Sequence, residues 1–242
     1  MAWCWKANGG TTVTNTEGSL DSTVQANTKA GFSIVETPNF SGSCTQGHGL
    51  DKAPEFVIHK LTASGNNWNV WHTGLSGAGN IIRLNSSAAE TTGSHFNSTA
   101  PTADVFSLGA SLAGSGAGIC YLWHSVEGYS KFAKYEGNGN ADGPFIYTGF
   151  RPRMLFIKRT DSTSGWTVVD TARYTANTSD GPGRLEWNLS NAEVTGSSAT
   201  REMDVLSNGV KLRGTNGNIN ASGGDYVFGA WADVPFKYNN TF

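Results

Sequence analysis

Charged residues are scarce in this 242-residue chain. Asp, Glu, Lys and Arg make up only 15% of it, whereas soluble domains average about 25%. Coiled coils and helix bundles depend on Glu, Lys, Leu and Ala, so this composition excludes them. The chain has instead 31 glycines and many Ser, Thr and Asn residues, which are typical of turns between short strands. Composition therefore predicts an all-β protein.

Other absences exclude further classes. The net charge is −2 and the pI is about 6.2, without the basic patch that holds nucleic acid. No apolar run approaches the ~18 residues of a membrane span, and the first residues show no signal peptide. Cys4, Cys44 and Cys120 form no CxxC pair, so we expect free, mostly buried thiols. We therefore expect no nucleic acid, no membrane insertion and no zinc site.

The chain repeats itself after roughly a hundred residues. Residues 53–60 match residues 151–158, and a tryptophan follows each segment at the same distance, at Trp68 and Trp166. Three more matches follow in order: 83–90 with 186–193, 104–109 with 204–209, and the strand around Trp123 with the strand around Trp231. Ordered matches of this kind predict two copies of one module.

Each copy has the strand pattern of a sandwich. Short apolar runs alternate with turn-rich segments at intervals of about 8–12 residues. We therefore predict two tandem, internally duplicated β-sandwich (jelly-roll-like) modules at residues 29–128 and 129–242. Residues 1–28 are interpreted as the closing strand of a preceding module, at 3–6, followed by a linker. Pairing of that strand with another chain is the alternative.

No pattern of catalytic or metal-binding residues stands out. The histidines all fall in the first copy and lack HxH or HExxH spacing; they are His48, His59, His72, His95 and His124. The Asn/Gly/Asp loop at 137–143 is similar to a calcium loop but lacks the bidentate Glu. No clustered carboxylate pair, GxSxG motif or phosphate-binding loop is present. The sequence therefore predicts no enzyme, no metal and no cofactor.

Aromatic residues supply the candidate ligand contacts. Half of the eight tryptophans occupy repeated strand positions, so we expect them to pack in the core. Trp71, Tyr174 and Trp187 have no aromatic counterpart in the other copy. We interpret these three as candidates for an exposed face that stacks on sugar rings, with core packing as the alternative for each.

Several segments carry a resemblance to a known kind of protein. They include Trp3-Cys4-Trp5-Lys6 near the start and Tyr129-Ser130-Lys131-Phe132, and the others span residues 28–35, 135–143, 147–152, 156–161, 218–224 and 232–236. Together they resemble a repeated β module of marine bacteriophage (cyanophage-like) tail-fibre and virion appendage proteins. The resemblance covers nearly the whole chain. It implies a virion structural or host-attachment role and no catalytic residues.

We therefore expect a phage protein at the tail or capsid surface that attaches to host cells, binding a surface glycan or receptor. It would contact other virion proteins and form a homo-oligomer, with a trimer favoured, because weak sites gain avidity when several act together. Two alternatives stay open. One is a purely structural capsid or tail decoration protein. The other is a tail-associated glycan-degrading enzyme, which needs two carboxylates in a groove.

Overall fold

The computed structural model describes residues 3–63, 65–173, 177, 183–194 and 202–233. Of these residues 41% lie in strands and 3% in helices, which confirms the all-β prediction. A 3-10 helix spans Ala110–Leu112 and a short α-helix, α1, spans Gly217–Asn220. The strands, in chain order, are β1 Val13–Asn15, β2 Ser22–Asn27, β3 Phe32–Thr37, β4 Cys44–Gly47, β5 Phe56–Leu61, β6 Asn69–His72, β7 Asn80–Arg83, β8 Thr91–Thr92, β9 Val105–Leu108, β10 Gly118–Trp123, β11 Ser130–Glu136, β12 Phe145–Tyr147, β13 Pro152–Arg159, β14 Trp166–Asp170, β15 Arg184–Glu186, β16 Met203–Leu206, β17 Gly209–Leu212 and β18 Asp225–Ala232.

The chain divides into two compact units. Unit 1 holds Met1–Leu84 and Thr91–Val126, and unit 2 holds Asn85–Glu90 and Glu127–Phe242. The main boundary therefore falls between residues 126 and 127. Unit 2 also takes in six residues from the loop that connects β7 to β8.

Unit 1 is built on an eight-stranded antiparallel sheet in the order β1-β2-β3-β10-β5-β6-β7-β8. A second, two-stranded sheet consists of β4 and β9. Side chains of both sheets form one apolar core, with Val57 and Cys120 from the large sheet and Phe106 and Leu108 from β9. This is sandwich packing, because alternate side chains of each strand point to the face that meets the other sheet.

The first thirty residues depart from the sequence interpretation. Part of the expected linker forms β1 and β2, and β2 pairs along β3 with Val24 opposite Val35. Val24 is buried in the core of unit 1 and Ser22 donates to the Gly47 carbonyl at 2.8 Å, so a largely polar segment forms a strand here. Residues 3–6 form no strand, although the Trp5 ring packs edge-on against Trp123 with 5.8 Å between centroids.

Unit 2 combines a five-stranded sheet in the order β11-β18-β13-β14-β15 with a three-stranded sheet in the order β12-β17-β16. Leu155, Ile157 and Phe228 of the larger sheet pack with Val210 and Leu212 of β17 in its core. Both units are therefore sandwiches with the same plan.

Strand register confirms the duplication. Phe56 lies opposite His72 in unit 1, and Met154 lies opposite Asp170 in unit 2. Both members of the second pair follow those of the first by 98 positions, as in the sequence match. The closing strands β10 and β18 pair with β5 and β13 in equivalent register.

One sequence match is wrong. The sequence aligns residues 104–109 with 204–209, but β9 pairs with β4, and the strand in that place in unit 2 is β17, which pairs with β12. Strand β16, which contains Asp204, is an additional strand that forms a hairpin with β17. Both segments start a strand after an aspartate, and this local similarity hides the extra hairpin.

Candidate functional site

The described residues of unit 1 surround a cavity of about 280 Å³. Its walls come from β5, β6 and β7, from the β5–β6 turn, from the loop after β8 and from the 3-10 helix. Most of its lining residues can form hydrogen bonds through their side chains, and the full set is His59, Leu61, Asn66, Asn67, Asn69, Ile81, Arg83, Gly93, Ser94, His95, Ser111 and Leu112.

Strand register places three of these polar residues in one row. His59 of β5 lies opposite Asn69 of β6, and Asn69 lies opposite Arg83 of β7. Directly paired residues of antiparallel strands share a face of the sheet. The row lies on the face that carries Leu61 and Ile81, which belong to the core of unit 1. Polar side chains thus replace apolar ones at this part of the inner face.

Two of the residues that line the cavity are buried histidines. Nδ1 of His59 lies 2.9 Å from Nε2 of His95, and the two residues are 1% and 8% exposed. Burial, together with nearby Lys60, lowers the pKa of His59 to about 4. Burial, together with His59 and Arg83, lowers the pKa of His95 to about 3. Both rings are therefore neutral at pH 7, and one donates a hydrogen bond to the other.

The loop that carries His95 contains two left-handed residues. Asn97 and Ser98 have φ values of 53° and 47°, which non-glycine residues adopt at a cost in energy. The Asn97 N–H donates to the Ser94 carbonyl at 3.1 Å, and the Gly109 N–H donates to the His95 carbonyl at 2.8 Å. These bonds hold the loop, so the backbone at His95 is fixed from both sides.

Other histidines have structural contacts. His48 is fully buried, and its Nδ1 accepts a hydrogen bond from the Leu50 N–H. His124 Nε2 lies 3.2 Å from an Asp51 carboxylate oxygen. Within the described ranges no group of three or more His, Cys, Asp or Glu side chains is arranged to hold a metal ion.

The calcium-like loop is closed by its own contacts. Asn138 Oδ1 accepts from the Asn140 N–H, and Asn140 Oδ1 accepts from the Asp142 N–H. Lys211 Nζ lies 2.7 Å from an Asp142 carboxylate oxygen, and this contact lowers the pKa of Asp142. A lysine ammonium group therefore already meets the carboxylate of this turn.

The structure separates the three aromatic candidates. Trp71 is 6% exposed and packs in the core of unit 1, so the expectation that it lies on an exposed face is wrong. It lies opposite Val57, and that side of β6 faces inward. Trp187, in unit 2, is partly buried, with its ring 5.2 Å from Phe156 between centroids. Tyr174 lies outside the described residues.

Sequence reasoning missed the cavity. His59 and His95 are 36 positions apart, and nothing in the local pattern brings them together. The available signal was the confinement of all histidines to the first copy, where His59 aligns with Ile157. The cysteines agree with expectation, since all three are free and Cys44 and Cys120 are buried.

In the part of the chain that the structure describes, no helix has the length and apolar character needed to cross a membrane. Searches of curated proteins and of solved structures found no match. One family of proteins does match, over residues 1–235, and this range includes every strand of both units. The chain therefore belongs to the DUF7483 family, a domain of unknown function.

Proposed function

We propose that this protein is a bacteriophage virion surface protein for host attachment, and that the cavity of unit 1 binds one sugar residue of a host surface glycan. The observation that carries the glycan proposal is the lining of the cavity. The amides of Asn67 and Asn69 and the hydroxyls of Ser94 and Ser111 supply both donors and acceptors for sugar hydroxyl groups. A volume of about 280 Å³ suits a single monosaccharide, since pockets for drug-sized ligands begin near ~300 Å³.

Charge in the cavity favours an acidic sugar. The guanidinium of Arg83 is protonated at any physiological pH, whereas His59 and His95 are neutral. A sugar carboxylate at Arg83 would gain charge-assisted hydrogen bonds, which are stronger than neutral ones. We therefore infer a preference for a uronic acid over the neutral hexose with the same ring.

The proposed activity is binding without cleavage. Glycoside hydrolysis needs two carboxyl groups about 5–10 Å apart, and among the described residues none lines the cavity. The placement on a virion rests on the resemblance of the sequence to phage appendage modules. Low charge and abundant hydroxyl and amide side chains are compatible with such an exposed setting.

The test is a titration of the whole chain with glucuronate and with glucose, with NMR spectra recorded at each ligand concentration. We expect saturable shifts of the Asn67 and Asn69 side-chain amides with millimolar affinity, near ~4 kcal/mol, and stronger binding of glucuronate. Arg83→Gln should weaken glucuronate binding about tenfold, or ~1.4 kcal/mol. Glu186→Gln is the matched control, because Glu186 occupies the place of Arg83 in unit 2.

Binding that is absent in the unmodified chain, or lost equally in Glu186→Gln, would overturn the glycan site. The attachment role is tested with labelled protein on host cells, where saturable adsorption should compete with intact phage. Tight association with another virion subunit without adsorption would favour a decoration protein. Release of sugar fragments from the host envelope would favour a glycan-degrading enzyme.

A further inference from the structure

The loops that follow β7 and β15 are equivalent. Strand β7 pairs with β8 in unit 1, and unit 2 has the corresponding bridge between Arg184 and Val194. The loops have the same length, so residues 85–90 align with residues 188–193. We call these two stretches the first and second tip segments.

The first tip segment belongs to unit 2, where its main chain is bound. The Ser87 carbonyl accepts hydrogen bonds from the Ser164 N–H at 2.8 Å and from Lys158 Nζ at 3.4 Å. The Glu90 N–H donates to the Thr160 carbonyl at 2.7 Å. We call Lys158, Thr160 and Ser164 the second receiving site. Its contacts use mostly backbone atoms, so they depend little on the side chains of the tip.

Unit 1 contains an equivalent receiving site. His59 and Asn69, which pair across the turn between β5 and β6, are ten positions apart, and so are Ile157 and Thr167, which pair across the turn between β13 and β14. The Thr62 N–H donates to the Ala117 carbonyl at 2.9 Å, as the Thr160 N–H donates to the Asp225 carbonyl at 2.8 Å. The aligned residues that form the first receiving site are Lys60, Thr62 and Asn66.

Exposure separates the two receiving sites. Thr160 and Ser164 are 4% and 5% exposed in unit 2, whereas Thr62 and Asn66 are exposed in unit 1. The second tip segment is exposed from residue 189 to residue 192, and Leu189 is 45% exposed. Thr62, Asn66 and residues 189–192 are thus exposed, whereas unit 2 buries Thr160 and Ser164, the equivalents of Thr62 and Asn66.

We propose that the second tip segment of one chain docks on the first receiving site of a second copy. The Ser190 carbonyl would accept from the Asn66 N–H, as the Ser87 carbonyl accepts from the Ser164 N–H. This head-to-tail contact uses different surfaces on the two partners, so it forms rings or filaments rather than twofold dimers. The surface is small, and such contacts are weak unless several act together. The contact shares Asn66 with the lining of the proposed sugar cavity. Its test is the association of chains in the absence of sugar, so the two proposals can fail separately.

Sedimentation velocity of the full chain at rising concentration is the first test. We expect a sedimentation coefficient that increases with concentration. Asn66→Pro removes the N–H that the contact needs and should abolish the increase. Asn66→Ala is the matched control, because it keeps the N–H and changes only the side chain. Circular dichroism checks that both variants keep the fold.

Disulfide trapping is the second test and does not depend on variants that weaken association. In a Cys4→Ser background, chains with Asn66→Cys are mixed with chains carrying Ser190→Cys under mild oxidation. We expect linked dimers in this mixture and far fewer when Asn66→Cys is mixed with Asp142→Cys, an exposed position outside the tip. A chain that stays monomeric, or that links equally well in both mixtures, overturns the proposal.

Discussion

The same place in the two units is filled in two different ways. Thr37 lies opposite Gly118 in unit 1, and the equivalent pair in unit 2 is Tyr135 and Tyr226. The tyrosine rings stack with 4.9 Å between centroids and 7° between planes. In unit 1 the ring of His59 occupies the space beside Gly118. A Cβ at Gly118 would lie only 2.5 Å from Nε2 of His59.

Differences at equivalent paired positions therefore give the two units different interiors. Ile157 stands in unit 2 where His59 stands in unit 1, and Glu186 stands where Arg83 stands. The register of the paired strands is the same in both units, so the difference between the interiors lies in their side chains and in the loop that carries His95. A histidine at this position needs a residue without a side chain opposite the end of its ring, and Gly118 meets that need. Duplication lets one copy carry the polar cavity while the other keeps a conventional core.

Truncating one ring of the stacked pair Tyr135 and Tyr226 in unit 2 should have the largest effect on stability. Tyr226 is 1% exposed, its Oη donates to the Gly217 carbonyl at 2.8 Å, and it accepts from the Ala221 N–H at 2.7 Å. Tyr226→Ala should lower the free energy of unfolding by ~3–5 kcal/mol, as other core aromatic truncations do. Tyr226→Phe keeps the ring and should cost only ~1–3 kcal/mol. Urea denaturation followed by circular dichroism gives both values, and equal losses would show that the ring stack contributes nothing.

Acid should destabilise unit 1 through its buried histidines. The pKa of His59 is about 4 in the folded chain and 6.5 in its ordinary state. Between these values the unfolded chain binds more protons, so stability is complete above about pH 6.5 and falls as the pH is lowered toward 4. The loss due to His59 is on the order of 3 kcal/mol. The second copy contains no histidine.

The measurement is urea denaturation between pH 7 and pH 5.5, where carboxylates with ordinary pKa values of about 4 stay ionised. His59→Ile, which places the unit 2 residue in unit 1, should reduce the dependence of unfolding free energy on pH, and the remainder comes from His48 and His95, whose pKa values burial also lowers. Ile157→Val is the control, because it alters the core of unit 2 without changing a titratable group. Labelling of Cys44 and Cys120 reports unfolding of unit 1 separately, since both thiols are buried there. If the unfolding free energy of His59→Ile depended on pH as strongly as that of the parent chain, His59 would not be the source of the acid sensitivity.

Composition and repeats were sufficient to predict the fold class and the duplication, because turn residues and recurring strands are local signals. The hairpin of β16 and β17 was missed because one short strand resembles another in sequence. Trp71 illustrates a different limit. Alternation along a four-residue strand separates its two faces but does not say which one is inside. The cavity depends on the contact between His59 and His95. That contact is set by the packing of the loop after β8, which is distant from His59 in the sequence.

Lys60 and Lys158 are equivalent lysines in the two units that differ in burial. Lys158 is 0% exposed, and its Nζ donates to the carbonyls of Arg159 at 2.6 Å and of Ser87 at 3.4 Å. Burial lowers its pKa from 10.5 to about 8. Lys60 donates to the Leu61 carbonyl at 2.9 Å but is only partly buried. The same residue type therefore experiences water in unit 1 and a nearly dry site in unit 2.

The free energy of unfolding should therefore increase with pH because of Lys158, at pH values where the histidines no longer titrate. Between pH 8 and 10.5 the unfolded chain binds more protons than the folded chain, so the free energy of unfolding increases with pH. Restricting the measurement to pH 7.5–9.5 avoids the buried phenols of Tyr135 and Tyr226, whose pKa values are raised by burial. Burial also raises the pKa values of the Cys44 and Cys120 thiols, so the measurement is made in a Cys44→Ala, Cys120→Ala background. The gain due to Lys158 over this range is on the order of 2 kcal/mol. Lys158→Met should remove it and Lys60→Met should keep it, and a rise that survives Lys158→Met would show that the ammonium group is not desolvated.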